Sequence, residues 1–333
     1  MEKYTIGANP GRQPGAHQVV EELGKKPPKQ KKKWSKDAIK KQVLAQSMAL
    51  PGVIMMIVFT VFPIYGIYVA FSRFNIFRPV FEAEFVGLHF FRMAFNHPNF
   101  WQALTNTIAI NGLRIMIAFP LTIMVAIMIN DLTNIRFKKL VQTVSYLPFF
   151  ISWIVVGGMM IQWLSSDGLF NSVLMGIGLT SEPILFLAEP GNYWAIAVIS
   201  QIWHGLGWGT ILYLAAMTAI DPTLYEAAKI DGATKIQQIR HITIPGMRHI
   251  IAINLVLTVA GLLGSNLDQT LILRNPRNFT RADVLGSFVF DTALGGGMWS
   301  LAAAVGLVIS LVSFVLVIVT NIASKKIGDA DIF

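Results

Sequence analysis

The sequence predicts an all-α integral membrane protein with six transmembrane helices, and three observations carry that expectation. Of its 333 residues, 54% are hydrophobic and only 14% charged, a balance that soluble domains rarely show. Several apolar stretches reach or exceed the roughly 20 residues needed to cross a bilayer. Lys and Arg concentrate in alternate segments between those stretches, as membrane orientation requires.

Residues 1–45 read as a basic tail, with the run Lys25-Lys26-Pro27-Pro28-Lys29-Gln30-Lys31-Lys32-Lys33. Its Pro, Gly and Lys content suits disorder over 1–35, and so long a polar stretch ahead of the first apolar run excludes a secretory signal. A basic anchor near anionic headgroups is favoured there over specific recognition. A membrane domain follows over 46–325, with spans near 48–72, 104–130, 140–164, 193–219, 247–273 and 298–323, and then a short tail, 326–333. With the N-terminus inside, twenty Lys and Arg fall on the inner side: eleven in the tail, three at 131–139, four at 221–249 and two at the C-terminus. Only Arg73, Arg78, Arg92, Arg274, Arg277 and Arg281 fall outside. Both termini are therefore expected in the cytoplasm. The net charge of +9 reflects orientation, and no nucleic-acid partner is expected. Outside, residues 73–103 suit an amphipathic helix lying at the interface. Residues 165–191 carry Asp167, Glu182 and Glu189 but no Lys or Arg.

Absent motifs narrow the function. There is no cysteine, so neither disulfides nor thiolate metal sites are possible. No Gly-x-x-x-x-Gly-Lys-Ser/Thr phosphate loop, zinc-protease His pair or Gly-x-Ser-x-Gly elbow occurs. The sequence offers no catalytic residue, no metal site and no cofactor site, and an enzyme working alone is poorly supported.

One polar segment stands out between the fourth and fifth apolar runs. Asp221-Pro222 supplies a helix cap and a first helical residue. Glu226-Ala227-Ala228-Lys229 continues the helix, Asp231-Gly232-Ala233 permits a turn, and Ile242-Thr243-Ile244-Pro245 ends the next helix. Small residues beside Glu226 would let this helix sit close in a partner's groove. The spacing from Glu226 through Gly232 to Ile242 and Pro245 resembles the coupling loop of permease subunits of ATP-binding-cassette importers, with Ile244 where Leu is usual. Leu104-Thr105-Asn106-Thr107, Tyr146-Leu147-Pro148, Asn275-Pro276 and Trp299-Ser300-Leu301-Ala302-Ala303-Ala304-Val305-Gly306-Leu307 are similar to the carbohydrate-importer branch. Within that branch the chain looks most like permeases for polysaccharide fragments, such as alginate and rhamnogalacturonan oligosaccharides.

The resemblance implies a type I importer (MetI-like) permease fold in a bacterial cytoplasmic (inner) membrane. It implies a heterodimer with a second homologous permease, two copies of a cytoplasmic ATPase that bind ATP and Mg, and an extracytoplasmic solute-binding protein. In the family the coupling loop docks on the ATPase and converts its closure into alternating access. Counting from the loop to positions of sugar contacts in the related maltose permease points to Gln201, His204, Gly205, Trp208, Thr258, Leu262 and Ser265. Asn266 and Asp268 lie nearby. Trp208 suits a sugar's apolar face, and His204 either bonds hydroxyls or makes an interhelical hydrogen bond. Asp268 is expected to pair with Arg274 or a neighbouring helix, and Arg114 to pair or snorkel. Gly205, Gly207 and Gly209 serve either close packing or local unwinding, with packing favoured. The outer arginines suit either an anionic oligosaccharide or acidic residues of a binding protein. The alternatives to an acidic-oligosaccharide importer are a neutral-sugar importer and an enzyme acting on lipid-linked sugar.

Overall fold

The computed structural model describes residues 36–264 and 266–328, and contacts divide the chain between Ile64 and Tyr65. In the first unit, α1 (Lys36–Met56) continues as π-helix over Ile57–Val61. Helical backbone then passes into 3-10 turns over Phe62–Phe71, and Lys40–Phe71 is a candidate span. Pro63 has no N–H to give the preceding turn, which accounts for the change of pitch there.

The second unit, from Tyr65 onward, has a hairpin in place of the interfacial helix expected over 73–103. β1 (Ser72–Arg73) pairs antiparallel with β2 (Glu84–Phe85), Ser72 opposite Phe85. Pro79 and the left-handed Gly87 (φ 59°) break any continuous helix here. The short amphipathic α2 (His89–Asn96) follows, and residues 98–103 already belong to α3 (Pro98–Asn130). His97 caps α3 by accepting from the Asn99 N–H at 3.3 Å.

The expected third span is broken. α4 (Ile135–Tyr146) and a 3-10 turn (Leu147–Phe150) meet α5 (Trp153–Trp163) at a bend of 97°. Pro148 tightens the chain, and Ile151 and Ser152 are extended. After α6 (Leu169–Gly176), α7 (Pro190–Thr218) runs unbroken through Gly205, Gly207 and Gly209. None of the three therefore marks an unwinding, and Gly207 and Gly209 serve close packing, whereas a Cβ on Gly205 would meet nothing within 4 Å. A Cβ on Gly207 would stand 1.9 Å from the Ser145 carbonyl oxygen, and one on Gly209 would stand 3.0 Å from Thr122 Cγ2. Gly207→Ala should push α7 from α4, at an overpacking cost of about 1–3 kcal/mol. A lowered thermal midpoint in detergent checks this; an unchanged midpoint would show that the helices re-seat freely.

Next come α8 (Pro222–Ile230), α9 (Lys235–Gln238), a π turn (Ile239–Thr243) and α10 (Ile244–Gly246). The chain bends 67° into α11 (Arg248–Ala260). The fifth span is also interrupted, because α11 ends at Ala260 and α12 (Leu267–Leu273) starts anew. α13 (Phe279–Ala282) and α14 (Leu285–Phe290), continued by a π turn at Asp291–Gly295, lead into α15 (Trp299–Gly328). Among the described residues four helices are long and apolar enough to cross a membrane, or up to six if each bent pair is one span.

α3 packs along α7, and α11 along α15. One buried cluster joins Phe100, Leu263, Leu285, Phe288 and Leu301; another joins Ala126, Ile127, Tyr213, Met217 and Met247. Large apolar side chains remain exposed along α15, among them Leu311, Phe314, Val315, Ile318, Val319 and Ile322. Such a surface suits lipid or another helix.

Candidate functional site

Segment 221–249 folds on local instructions. Asp221 Oδ1 accepts from the Thr223 N–H at 2.9 Å, and Pro222 opens α8. That backbone bond holds the exposed Asp221 carboxyl below its ordinary range. At the far end Gly232 is left-handed (φ 76°), and the Ala233 N–H reaches back to the Ala228 carbonyl at 2.8 Å. Thr234 then forms a reciprocal capping box with Gln237. The two limbs are tied by Tyr225 and Thr243, whose hydroxyls lie 2.9 Å apart, and by Gln238 Nε2 donating to the Ala233 carbonyl at 3.1 Å.

This helix–turn–helix gathers Glu226, Ala227, Ala228, Asp231, Gly232, Ala233, Ile242 and Pro245 into one short stretch. A cavity of about 360 Å³ is lined by Ala228, Asp231, Gly232, Ala233, His241 and Ile242. Glu226 and Pro245 are exposed. So are two apolar side chains beside the turn, Ile230 at 86% and Ile236 at 77%. Pro245 does not itself end the helix: the backbone stays helical to Gly246 and bends at Met247. Met247 is fully buried and shares a cluster with Tyr213 and Met217 of α7 and with Ala126 and Ile127 of α3. Lys235 Nζ lies 2.7 Å from Asp131 Oδ1 at the end of α3. The segment is thus fastened to the ends of two candidate spans.

Farther along those helices is a cavity of about 250 Å³. Arg114, Gln201, Gly205, Tyr213, Asn254 and Thr258 contribute to its wall. Three residues expected on the pathway, Gln201, Gly205 and Thr258, therefore meet there. Arg114 Nη1 donates to Gln201 Oε1 at 3.2 Å, and Asn254 Nδ2 donates to the Tyr213 hydroxyl at 2.7 Å.

His204 and Trp208 lie elsewhere, against the break in the third span. His204 Nε2 donates to the Ile151 carbonyl at 3.0 Å, and its ring sits 4.6 Å from that of Trp153. Trp208 stacks on Phe149 at 4.5 Å. The imidazole satisfies a carbonyl freed where the helix unwinds, the interhelical option left open above. Asn111 does the same for the fifth span, Nδ2 donating to the carbonyls of Leu262 at 2.9 Å and Gly264 at 2.6 Å. Leu262 thus lies in the unwound stretch, and Asn266 caps α12 by accepting from the Gln269 N–H at 3.2 Å. Ser265 lies outside the described residues.

Asp268 is exposed and does not pair with Arg274. Arg274 instead bonds Asp283 Oδ1 at 3.1 Å and Asp291 Oδ2 at 2.6 Å. Burial pushes the Asp283 carboxyl above its ordinary range, against the pull of Ser287 and Arg274. Two other outer arginines also have partners within the chain: Arg73 faces Glu84 at 3.5 Å, and Arg281 lies over the Trp194 ring at 4.4 Å. Sequence reasoning passed over Asn111 and Asn254, and placed Gln269 at the outer end of the fifth helix without giving it a role. Their signal was an amide inside an apolar run, where polar groups are costly unless partnered.

Comparison with known proteins agrees with this architecture. Residues 118–329 match the family model described as the binding-protein-dependent transport system inner membrane component. The polygalacturonan/rhamnogalacturonan transport system permease protein YteP of Bacillus subtilis (strain 168) is 36% identical over 287 residues, covering 86% of this chain and 89% of that protein. Protein LplB of the same strain is 31% identical, covering 89% of this chain and 93% of that protein. Among solved structures, a bacterial ABC transporter involved in the import of the acidic polysaccharide alginate has a chain 33% identical to this one. It superposes with a TM-score of 0.80 over 87% of this chain and 98% of that one. The bacterial alginate transporter in complex with an alginate pentasaccharide-bound periplasmic protein gives a TM-score of 0.81, again at 33% identity, over 89% and 99%. The YteP relative and the alginate transporters are transport components and not enzymes, and the fold of the alginate transporter chain is the one observed here. The chain belongs to the inner membrane component family of binding-protein-dependent transport systems, as the membrane-embedded permease subunit of an ABC importer.

Proposed function

We propose that this subunit passes oligosaccharides across the bacterial inner membrane, acidic ones of the alginate or pectin kind foremost. It works with a second homologous permease, two copies of a cytoplasmic ATPase and an extracytoplasmic solute-binding protein. The termini and segment 221–249 lie in the cytoplasm, on the side where Lys and Arg are concentrated. ATP and Mg are bound by the ATPase.

The observation that carries this reading is the fastening of segment 221–249. An ATPase gripping Glu226, the Ala227-Ala228 face and the Gly232 turn pulls on a unit with two inward connections. One is Met247 in the cluster with Tyr213 and Ala126; the other is the Lys235–Asp131 ion pair. The first leads to α3 and α7 and the second to α3, and these helices with α11 wall the cavity holding Gln201, Gly205 and Thr258. Closure of the ATPase would reorient those helices as rigid bodies and expose the cavity to one side and then the other. The polysaccharides named for the related transporters support sugar as cargo, and acidic sugar in particular.

The test is to purify the affinity-tagged subunit with its co-expressed partners, reconstitute it, and measure ATP hydrolysis with the binding protein and a panel of oligosaccharides. Copurification of a second permease and an ATPase, with stimulation by oligouronates, is expected. Stimulation by neutral oligosaccharides alone would overturn the acidic assignment. Absence of any ATPase partner would overturn the reading as a whole.

A further inference from the structure

Arg114 is the middle residue of the 33-residue α3, Pro98–Asn130, with about 24 Å of helix on either side. Its guanidinium turns to Gln201 of α7, so of the two roles expected from sequence it takes an interhelical partner. That partner is not a counter-ion. Among the described residues its polar partner is the neutral Gln201 Oε1 at 3.2 Å, and no carboxylate pairs with it. Other cations of this chain are treated differently: Arg274 has two carboxylates, Lys235 has Asp131 and Arg73 has Glu84. A charge within a membrane span is costly and marks a pathway or a ligand unless it is paired.

The surroundings fit a ligand. The guanidinium carries five N–H donors, one of which is taken by Gln201. Gln201 is itself held, since its amide nitrogen donates to Gln269 Oε1. The Gln269 amide nitrogen in turn donates to the Ala197 carbonyl at 3.0 Å and to Ser200 Oγ at 2.7 Å. The relay takes one of the two N–H donors of Gln201 and leaves its oxygen to position the guanidinium beside the cavity. That cavity, about 250 Å³, is several times the ~30 Å³ share of one water. Gly205 keeps its wall open, since a Cβ there would meet nothing within 4 Å.

We propose that Arg114, positioned by Gln201, receives the carboxylate of an acidic oligosaccharide within the membrane and so selects for charge. A guanidinium fork matches a carboxylate with two parallel hydrogen bonds, whereas a neutral sugar leaves the charge uncompensated. The inference rests on the reading above that this cavity lies on the transport path.

The experiment compares wild type, Arg114→Lys, Arg114→Met and Gln201→Glu in the complete reconstituted complex. The readouts are ATPase stimulation and uptake of oligogalacturonate delivered by the binding protein, with thermal stability measured on the same samples. Arg114→Met should raise the half-maximal oligogalacturonate concentration about thirtyfold or more, the usual effect of truncating a buried charge partner. Arg114→Lys, which keeps the charge but loses the fork, should fall between. Gln201→Glu places a carboxylate within the chain against Arg114, and is expected to raise thermal stability while weakening the oligogalacturonate response. Wild-type response in Arg114→Met, or an undiminished response in Gln201→Glu, overturns the role of Arg114 even where oligouronates remain the substrate. If the wild-type complex itself answers only to neutral oligosaccharides, the acidic-substrate reading falls, and the inference with it.

Discussion

Glu226→Lys is expected to abolish substrate-stimulated ATP hydrolysis and uptake while the subunit still inserts and folds. Glu226 is exposed on α8, so reversing its charge disturbs no buried contact of this chain. On the proposed docking it faces basic groups of the ATPase. Truncating one partner of a buried, hydrogen-bonded charge pair costs about 2–5 kcal/mol, and reversal adds repulsion. Gly232 supplies a control with a different physical cause. A Cβ there meets nothing within 4 Å, yet the backbone is left-handed at φ 76°. Gly232→Val should therefore fail through conformation, since a β-branched residue is a genuine outlier there. Gly232→Asn, which tolerates that conformation, should retain most of the activity. Equal activity in the Val and Asn variants would show that the turn's geometry does not matter for coupling.

The largest loss of stability is expected from Arg274→Met. It strands the Asp283 carboxylate, 1% exposed, with Ser287 Oγ at 2.6 Å as its remaining side-chain partner. Breaking a buried pair in this way costs about 3–5 kcal/mol. The effect depends on pH with a definite sign. Burial already raises the Asp283 carboxyl above its ordinary range, and removal of Arg274 raises it further. A raised carboxyl penalises the folded state little below the unfolded pKa, where both states are protonated. The penalty grows as pH climbs from that value to the folded one. Thermal midpoints of Arg274→Met should thus approach wild type at acid pH and diverge toward neutrality. The double variant Arg274→Met/Asp283→Asn should recover part of the loss. A pH-independent deficit would show that lost packing, not the stranded charge, is responsible.

The local fold of segment 221–249 was legible in the sequence because its determinants are local. A cap at Asp221, a proline at 222, a glycine able to turn left-handed at 232 and a capping box at Thr234–Gln237 act within a few residues of one another. The breaks in the third and fifth spans were not legible, because apolar periodicity runs straight through them. What makes them tolerable lies far away in the chain: His204 for the Ile151 carbonyl, and Asn111 for Leu262 and Gly264. Charge pairing was equally non-local. Asp268, six residues before Arg274, looked the natural partner, but the fold brings Asp283 and Asp291 to that guanidinium. The list of pathway residues split for the same reason. Gln201, Gly205 and Thr258 share a cavity, whereas His204 and Trp208 face the broken helix. Arg114, the half-buried cation of that cavity, was visible as a charge in an apolar run, but that no carboxylate among the described residues pairs with it appears only in three dimensions.

The most direct test of the account is oligouronate accumulation in proteoliposomes that contain the complete complex, with ATP enclosed on the ATPase side. Accumulation against a gradient by wild type, lost in Gly232→Val and kept in Gly232→Asn, is the predicted result. Full ATP-driven accumulation in Gly232→Val would contradict the claim that segment 221–249 couples this subunit to its energy source.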